Sequence, residues 1–414
     1  GCQKKMRDYL QDIEGFVDLT TPTLSVSTPG GAKEFKVPTQ HPGKFYSLVQ
    51  SPQLYKQLAM IGGLDRYFQF AVCYRDEGAK PDRQPEFMQV DIEMANVTQA
   101  EVQALIENMI VHSWPDHLPA ISIPFPHMTY NEAMESYGVD KPDTRFDWKL
   151  QNVTEVVKSC GVNILEKAVS TPGSYASAFS VPGGGKNINK KILSSWETLA
   201  LKEHQLNGPS LLYVKEDGTF RGAIAKKLND KAKLALFEMF QLSSNDVVVL
   251  AVGTKSNVLA LLGKLRLVAA QVMEEAGEPV RDKYSFNFLW VVDFPLFEVD
   301  EESGKIASVH HPFTMPHPED DLYSNPLEVR SQHYDIVLNG SEVGGGSIRI
   351  HDPFLQEYVF GNILGVSPES FGFFTEALAS GAPPHGGIAL GFDRFITNLC
   401  GAASIRDVIA FPKR

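Results

Sequence analysis

The chain has 414 residues, 43% of them hydrophobic, enough to bury sizeable cores in two or three domains. Its formal charge of -12 argues against broad nucleic-acid binding, which rewards a positive surface, while leaving room for a local basic groove. Four widely spaced cysteines (Cys2, Cys73, Cys160, Cys400) with no Cys-x-x-Cys pair argue against a disulfide framework and a structural zinc site. The most apolar runs, 247–252 and 258–267, are short or charged, so no membrane is expected as a partner.

A basic helical segment opens the chain at 2–10. Residue 1 is Gly rather than Met, the start expected of a chain cut from a longer one, and no signal or transit peptide is readable. Ser51-Pro52 is expected to start a helix, Ser51 as its cap and Pro52 at its first position, with Gly62-Gly63 ending it. Within it Leu54, Leu58 and Ile61 form an apolar stripe. Gln53 and Lys56 share another face, either solvated or in contact with one small polar ligand.

Residues 68–75 alternate as a strand ending at Arg75, and a polar loop follows. The next strand puts Met88, Val90, Ile92 and Met94 on one face and Phe87, Gln89, Asp91 and Glu93 on the other. A face of Gln, Asp and Glu beside a phenylalanine reads as a binding floor, with a ring for a base to stack on and carboxylates for amino groups or metal.

From 141 to 285 the character changes to helical patterns (190–206, 229–241, 256–275) and glycine-rich turns, read as an α+β domain inserted between core segments 1–140 and 286–414. Gly183-Gly184-Gly185-Lys186 lacks the spacing of a phosphate-binding loop. Strands resume in a hairpin, 334–339 and 342–351, around Asn339-Gly340-Ser341. It brings Asp335 and Glu342 toward each other, either as magnesium ligands or as plain surface acids. Gly386 to Arg394 joins a glycine-rich strand to a helix opening on an arginine, a fixed cation beside unpaired N–H groups. Taken alone, that pattern fits strand packing better than a phosphate site.

Arg75-Asp76-Glu77 with Phe87, and Gly391 to Arg394, resemble motifs 2 and 3 of class II aminoacyl-tRNA synthetases. The opening helix with Gly15-Phe16-Val17-Asp18 and Thr21-Pro22-Thr23-Leu24 resembles motif 1, the dimer-forming element. Gln50 to Gln57, Asp82-Arg83-Gln84-Pro85-Glu86-Phe87, His310-His311-Pro312-Phe313, Gly344 to His351 and Pro383-Pro384-His385-Gly386-Gly387 are similar to aspartyl-tRNA synthetases of the bacterial and mitochondrial type. The similarity covers nearly the whole chain.

This resemblance implies an α+β fold, an antiparallel sheet flanked by helices with an inserted domain. It implies a ligase that activates L-aspartate with ATP and passes it to the 3′ end of tRNA(Asp), in the mitochondrial matrix or a bacterial cytoplasm. Ser51, Gln53, Lys56, Asp91, His310, His311 and Arg349 would surround the aspartate, Asp91 facing its ammonium and Arg349 its side-chain carboxylate. Arg75 would bridge aspartate and α-phosphate, and Glu77, Gln84 and Phe87 would meet adenosine. Glu342 and Gly391-Phe392-Asp393-Arg394 would follow the ATP, with Arg394 on the γ-phosphate. Arg75 and Arg394 are the implied catalytic residues, Asp335 and Glu342 the implied ligands of Mg2+. A homodimer through the N-terminal helix and strand is implied as well, and a zinc site of His310, His311 and His317 is not.

The sequence departs from the pattern at Gly30, where bacterial members usually carry a glutamate. The family's anticodon-reading barrel does not precede Gly1, and the usual tail after Pro412 is missing. The expectation is a chain that activates aspartate yet selects tRNA poorly. Two other readings stay open, an enzyme for asparagine or lysine and a non-catalytic paralogue. Gln53, Lys56 and Arg349 argue against the first, and Arg75, Glu342 and Arg394 against the second.

Overall fold

Alternation of polar and apolar residues in the segments before 131 and after 287 produces one eight-stranded sheet. The computed structural model describes residues 1–27, 33–76, 82–301, 303–367 and 371–413. Glu77 and Gly30 lie outside the described residues. The strands are β1 (Val17–Asp18), β2 (Arg66–Tyr74), β3 (Glu86–Ala95), β4 (His127–Thr129), β5 (Phe288–Val292), β6 (His333–Leu338), β7 (Ser341–Ile348) and β8 (His385–Gly391). Their order is β1-β2-β3-β8-β7-β6-β5-β4. Every joint is antiparallel except β1–β2 and β5–β4, the two at the edges. Asn339 and Gly340, both with positive φ (52° and 83°), close the β6–β7 hairpin at the expected turn.

One face of this sheet is apolar. Phe68, Val90, Ile92, Ile388 and Leu390 are fully buried there. The guanidinium of Arg7, from α1 (Cys2–Asp8), lies 4.8 Å from the Phe70 ring centroid on the same side. Helix α2 (Gln53–Ile61) packs on β3 and β2. Helix α3 (Gln99–Ser113) starts in a capping box of Thr98 and Glu101, buries Val102, Ile106, Met109 and Ile110, and packs on α1 and β8. Helix α4 (Phe392–Cys400) follows β8 directly.

Contacts divide the chain into two units, residues 1–130 with 288–414, and residues 131–287. The second therefore begins at Asn131 rather than 141 and ends at Asn287 rather than 285. It has its own five-stranded antiparallel sheet, ordered Phe220–Arg221, Ser210–Val214, Val247–Thr254, Ser174–Val181, Gln151–Asn152. The run Val247 to Ala251 is continuously apolar because both faces are covered. Val247, Val249 and Ala251 meet Trp196 and Leu262 from helices Lys190–His204 and Lys255–Glu275. Val248 and Leu250 meet Val157 and Leu236 on the other face.

The helix Lys255–Glu275 has 21 residues and a mean hydropathy of 1.2 in its most apolar stretch, long and apolar enough to cross a bilayer by those measures. Sequence runs alone understated it, because charged residues interrupt them. Its Val258, Leu261, Leu262, Leu265 and Ala269 are buried in the unit's core, the pattern of a core helix.

Candidate active site

Two rows of residues cross the other face of the eight-stranded sheet. Gln69, Asp91, Ala389, Gly345 and Asp335 stand rung to rung across β2, β3, β8, β7 and β6, and Tyr67, Glu93, Gly387, Ser347 and His333 form the next row. Small residues occupy the middle, and Asp91, His333 and Asp335 from the flanks, with Ala389 and Gly345 between them, border a cavity of about 580 Å³. Gly387 is needed there, since a Cβ would run into the Ile92 carbonyl and the Glu93 carboxylate.

Helix α2 supplies one wall. Gln53, Lys56 and Gln57 share a helical face and are all buried, which decides against the solvated alternative. The Lys56 Nζ is 2.8 Å from Asp91 Oδ1 and 3.3 Å from Glu93 Oε2. The Tyr67 hydroxyl donates to Asp91 Oδ2 at 3.0 Å, and Gln69 Nε2 donates to the Tyr67 oxygen at 2.6 Å. Arg349, just past β7, donates from Nε and Nη2 to the two Glu93 oxygens at 3.0 and 3.2 Å, and from Nη1 to Ser347 Oγ at 2.7 Å. Among the described residues one hydrogen on each Nη has no acceptor, leaving donor capacity for another carboxylate. Gln53 Nε2 donates to Gln57 Oε1 at 2.8 Å, and Gln57 Nε2 is 3.0 Å from His385 Nε2.

Lys56, Arg349, Asp91 and Glu93 thus form a buried set of two cations and two anions, in which removing one member strands its partner. Burial lifts the Asp91 carboxyl above its ordinary range, against the pull of Lys56. Burial pushes Glu93 the same way, but Arg349 and Lys56 outweigh it and hold Glu93 below the usual value.

Ser51 lines the cavity but does not cap α2. Pro52 takes the cap position and its carbonyl accepts from the Lys56 N–H at 3.0 Å, so the helix begins one residue later than expected, at Gln53.

At the other end Arg75 leaves β2 with its guanidinium 5.0 Å from the Phe87 ring centroid. Its Nε is buried and has no hydrogen-bond partner among the described residues. Such a group is costly to leave unpaired, and inside a cavity it marks where an acceptor belongs. Arg394, in the first turn of α4, donates from Nη1 to the Glu342 carbonyl at 2.8 Å and also lines the cavity. Gly391 lines the cavity, as does Asp393, whose Oδ2 accepts from the Met88 N–H at 2.8 Å. Gln84 is buried with its Oε1 accepting from the Lys413 N–H at 2.7 Å. Phe392 is outside the lining and packs edge-on against Phe70, 5.7 Å between centroids.

Asp335 and Glu342 both line the cavity, yet the hairpin does not set them opposite each other. Asp335 faces Gly345 and Glu342 faces Val337, with the register shifting between Ile336 and Val337. His310 and His311 reach the same wall. Burial, aided by His333, drives His310 down to about 3, and burial with Arg349 nearby drives His311 well below its ordinary value, so both rings are neutral near pH 7. His317 pairs instead with Arg330, 3.3 Å away.

A profile described as tRNA synthetases class II (D, K and N) matches residues 2–414. The chain belongs to this class II synthetase family. It is 48% identical to "Aspartate--tRNA ligase, mitochondrial" of Homo sapiens over 412 residues, which are 99% of this chain and 64% of that protein. Against the Bos taurus protein of the same name the identity is 49%, covering 99% and 63%. The "Aspartate--tRNA(Asp/Asn) ligase" of Opitutus terrae is 42% identical, covering 99% and 69%. The chain spans slightly less than two thirds of the length of the mitochondrial relatives it matches. In this class II synthetase the antiparallel-rich sheet with its flanking helices is the expected α+β fold.

Sequence reasoning put Glu93 on the binding floor without a specific role, and gave no site role to Tyr67, Gln69, Gln57, His333, Ser347 or His385. Glu93 shares the alternating face of Asp91, and Gln57 left a signal too, one helical turn after Gln53. Tyr67 and His333 are visible only once the strands are in register.

Proposed function

We propose that the protein is an aspartate–tRNA ligase, forming aspartyl-adenylate and diphosphate from L-aspartate and ATP and then passing aspartate to the 3′ end of tRNA(Asp). The observation that carries this reading is the buried Lys56–Asp91–Glu93–Arg349 set, whose Lys56, Asp91 and Arg349 line one cavity with Arg75, the Nε of which has no hydrogen-bond partner among the described residues. Asp91 takes the substrate ammonium, while the Nη fork of Arg349 and the Lys56 ammonium take the side-chain carboxylate. Asparagine would present N–H groups to donors and leave charge unmatched, the kind of mismatch that discriminates strongly.

Arg75 holds the α-carboxylate against the α-phosphate, so two anions meet in line with a fixed cation between them. Phe87 offers its face to adenine and Arg394 its charge to the γ-phosphate. The oxygen donors of Asp335 and Glu342, on neighbouring strands of the same cavity, fit a magnesium ion. When bound, that ion neutralises charge on the phosphates. His310 and His311, kept neutral, add no charge to the pocket, and the terminal ribose hydroxyl of tRNA attacks the aspartyl carbonyl of the adenylate without a protein nucleophile, giving up its proton as the acyl–phosphate bond breaks and AMP leaves.

The names of the relatives support the mitochondrial matrix as its place. The exposed Ile13, Val17 and Leu24 around β1 support a homodimer through the N-terminal helix and strand. The test is ATP–diphosphate exchange. L-aspartate is expected to drive it and L-asparagine not, with Arg349→Leu abolishing it. Exchange with neither amino acid would sink the adenylating reading, and exchange with asparagine alone would reverse the specificity.

A further inference from the structure

His333 stands two residues before Asp335 on the same face of β6, and its Nε2 lies 2.7 Å from Asp335 Oδ1. A carboxylate oxygen can only accept, so Nε2 carries the hydrogen. Room for this bond comes from across the sheet. Gly345 opposes Asp335, and a Cβ there would sit 2.5 Å from Oδ1 and 3.6 Å from the His333 ring. The ring itself is held. His310 stacks on it with 3.5 Å between centroids and an 11° tilt, and Phe294 meets it edge-on at 5.1 Å and His310 at 4.8 Å.

Ligand atoms of His310, His333 and Asp335 lie within 4.8 Å of one another, which invites a transition-metal reading. Ring geometry opposes it. Lone pairs of two parallel imidazoles run side by side in separate planes, and an ion about 2.1 Å from both nitrogens would lie far out of each. The trio is a clamp rather than a cage.

We propose that His333 is a positioning residue for the nucleotide's metal: by its bond to Asp335 Oδ1, with His310 stacked behind it, it fixes the carboxylate that would meet the cation. The inference rests on the reading of Asp335 as a metal ligand. Hydrogen-bond partners of metal ligands are commonly worth about 10- to 100-fold in metal affinity.

The test uses Mn2+–ATP, with protein-bound complex followed by water-proton relaxation enhancement, and L-aspartate binding followed separately by calorimetry without metal. His333→Ala is expected to weaken Mn2+–ATP about tenfold while L-aspartate affinity stays within about twofold. His333→Gln, whose Nε2 can stand in for the imidazole donor, is expected to recover most of that loss. Unchanged Mn2+–ATP affinity in His333→Ala overturns the proposal, as do equal losses in the Ala and Gln variants, or a matching loss of L-aspartate affinity, because these indicate packing. Asp335→Asn separates the two readings. If it keeps full Mn2+–ATP affinity, the metal assignment falls and this inference with it; if it loses affinity while His333→Ala does not, only this inference falls.

Discussion

Asp91 and Glu93 are two residues apart on one strand face, equally buried, yet they are held in opposite directions. Glu93 has a bidentate arginine and stays ionised, whereas Asp91 has one lysine and a tyrosine hydroxyl and sits above the ordinary carboxylate value. An ammonium arriving at Asp91 favours its charged form. While the carboxyl is partly protonated, binding therefore releases a proton, so L-aspartate affinity rises with pH on the acid side and levels off once Asp91 ionises in the empty pocket. Calorimetry in buffers of different ionisation enthalpy counts that proton, and Asp91→Asn is expected to remove it. No linked proton on the acid side, where the empty pocket's Asp91 is partly protonated, would count against Asp91 as the ammonium site. The alternation of residues 87 to 94 was enough to put both carboxylates on one polar face. It could not say which one keeps its charge, because Arg349 is 256 residues away from Glu93.

At the level of elements, local chemistry was legible where it is self-contained. The Asn339-Gly340 turn and the step from a glycine-rich strand into a helix bearing Arg394 need only their own residues. The start of α2 was misplaced by one residue because serine before proline looks like a cap, while the carbonyl of Pro52 does the work of entering the helix. The glycines of β7 and β8 are a matter between strands. Gly387 lets β3 and β8 close with Glu93 lying across them, so Gly387→Ala is expected to force the strands apart. The predicted cost is about 2–3 kcal/mol in urea denaturation, with aspartate-dependent exchange lost as Glu93 is pushed off Arg349. A stability within about 0.5 kcal/mol of the parent would contradict that account.

Over the whole molecule the charge is uneven. Residues 131–287 hold 20 Lys and Arg against 18 Asp and Glu, and the remaining residues hold 18 against 32. The acidity that argued against nucleic acid therefore belongs to the unit of the eight-stranded sheet, not to the inserted one. That unit also carries exposed apolar residues near its edge strand, Val17 at 46% and Ile13 at 61% exposure. Their burial in a second copy is the expected reason, and Val17→Asp should shift sedimentation from dimer to monomer; an unshifted dimer would place the interface elsewhere. The boundary at Asn131 was hard to read because β4 is only three residues long and the next helix begins immediately after it. The parallel pairing of β4 with β5 sets a limit on protein engineering. Side-by-side strands running the same way cannot be joined by a hairpin turn, and the connection must return along their length, usually with about a dozen residues or more. Residues 130–287 supply that return path, so a shortened chain that joins Thr129 to Phe288 by two or three residues would lose an edge strand, whereas a replacement of ordinary crossover length would keep the sheet intact.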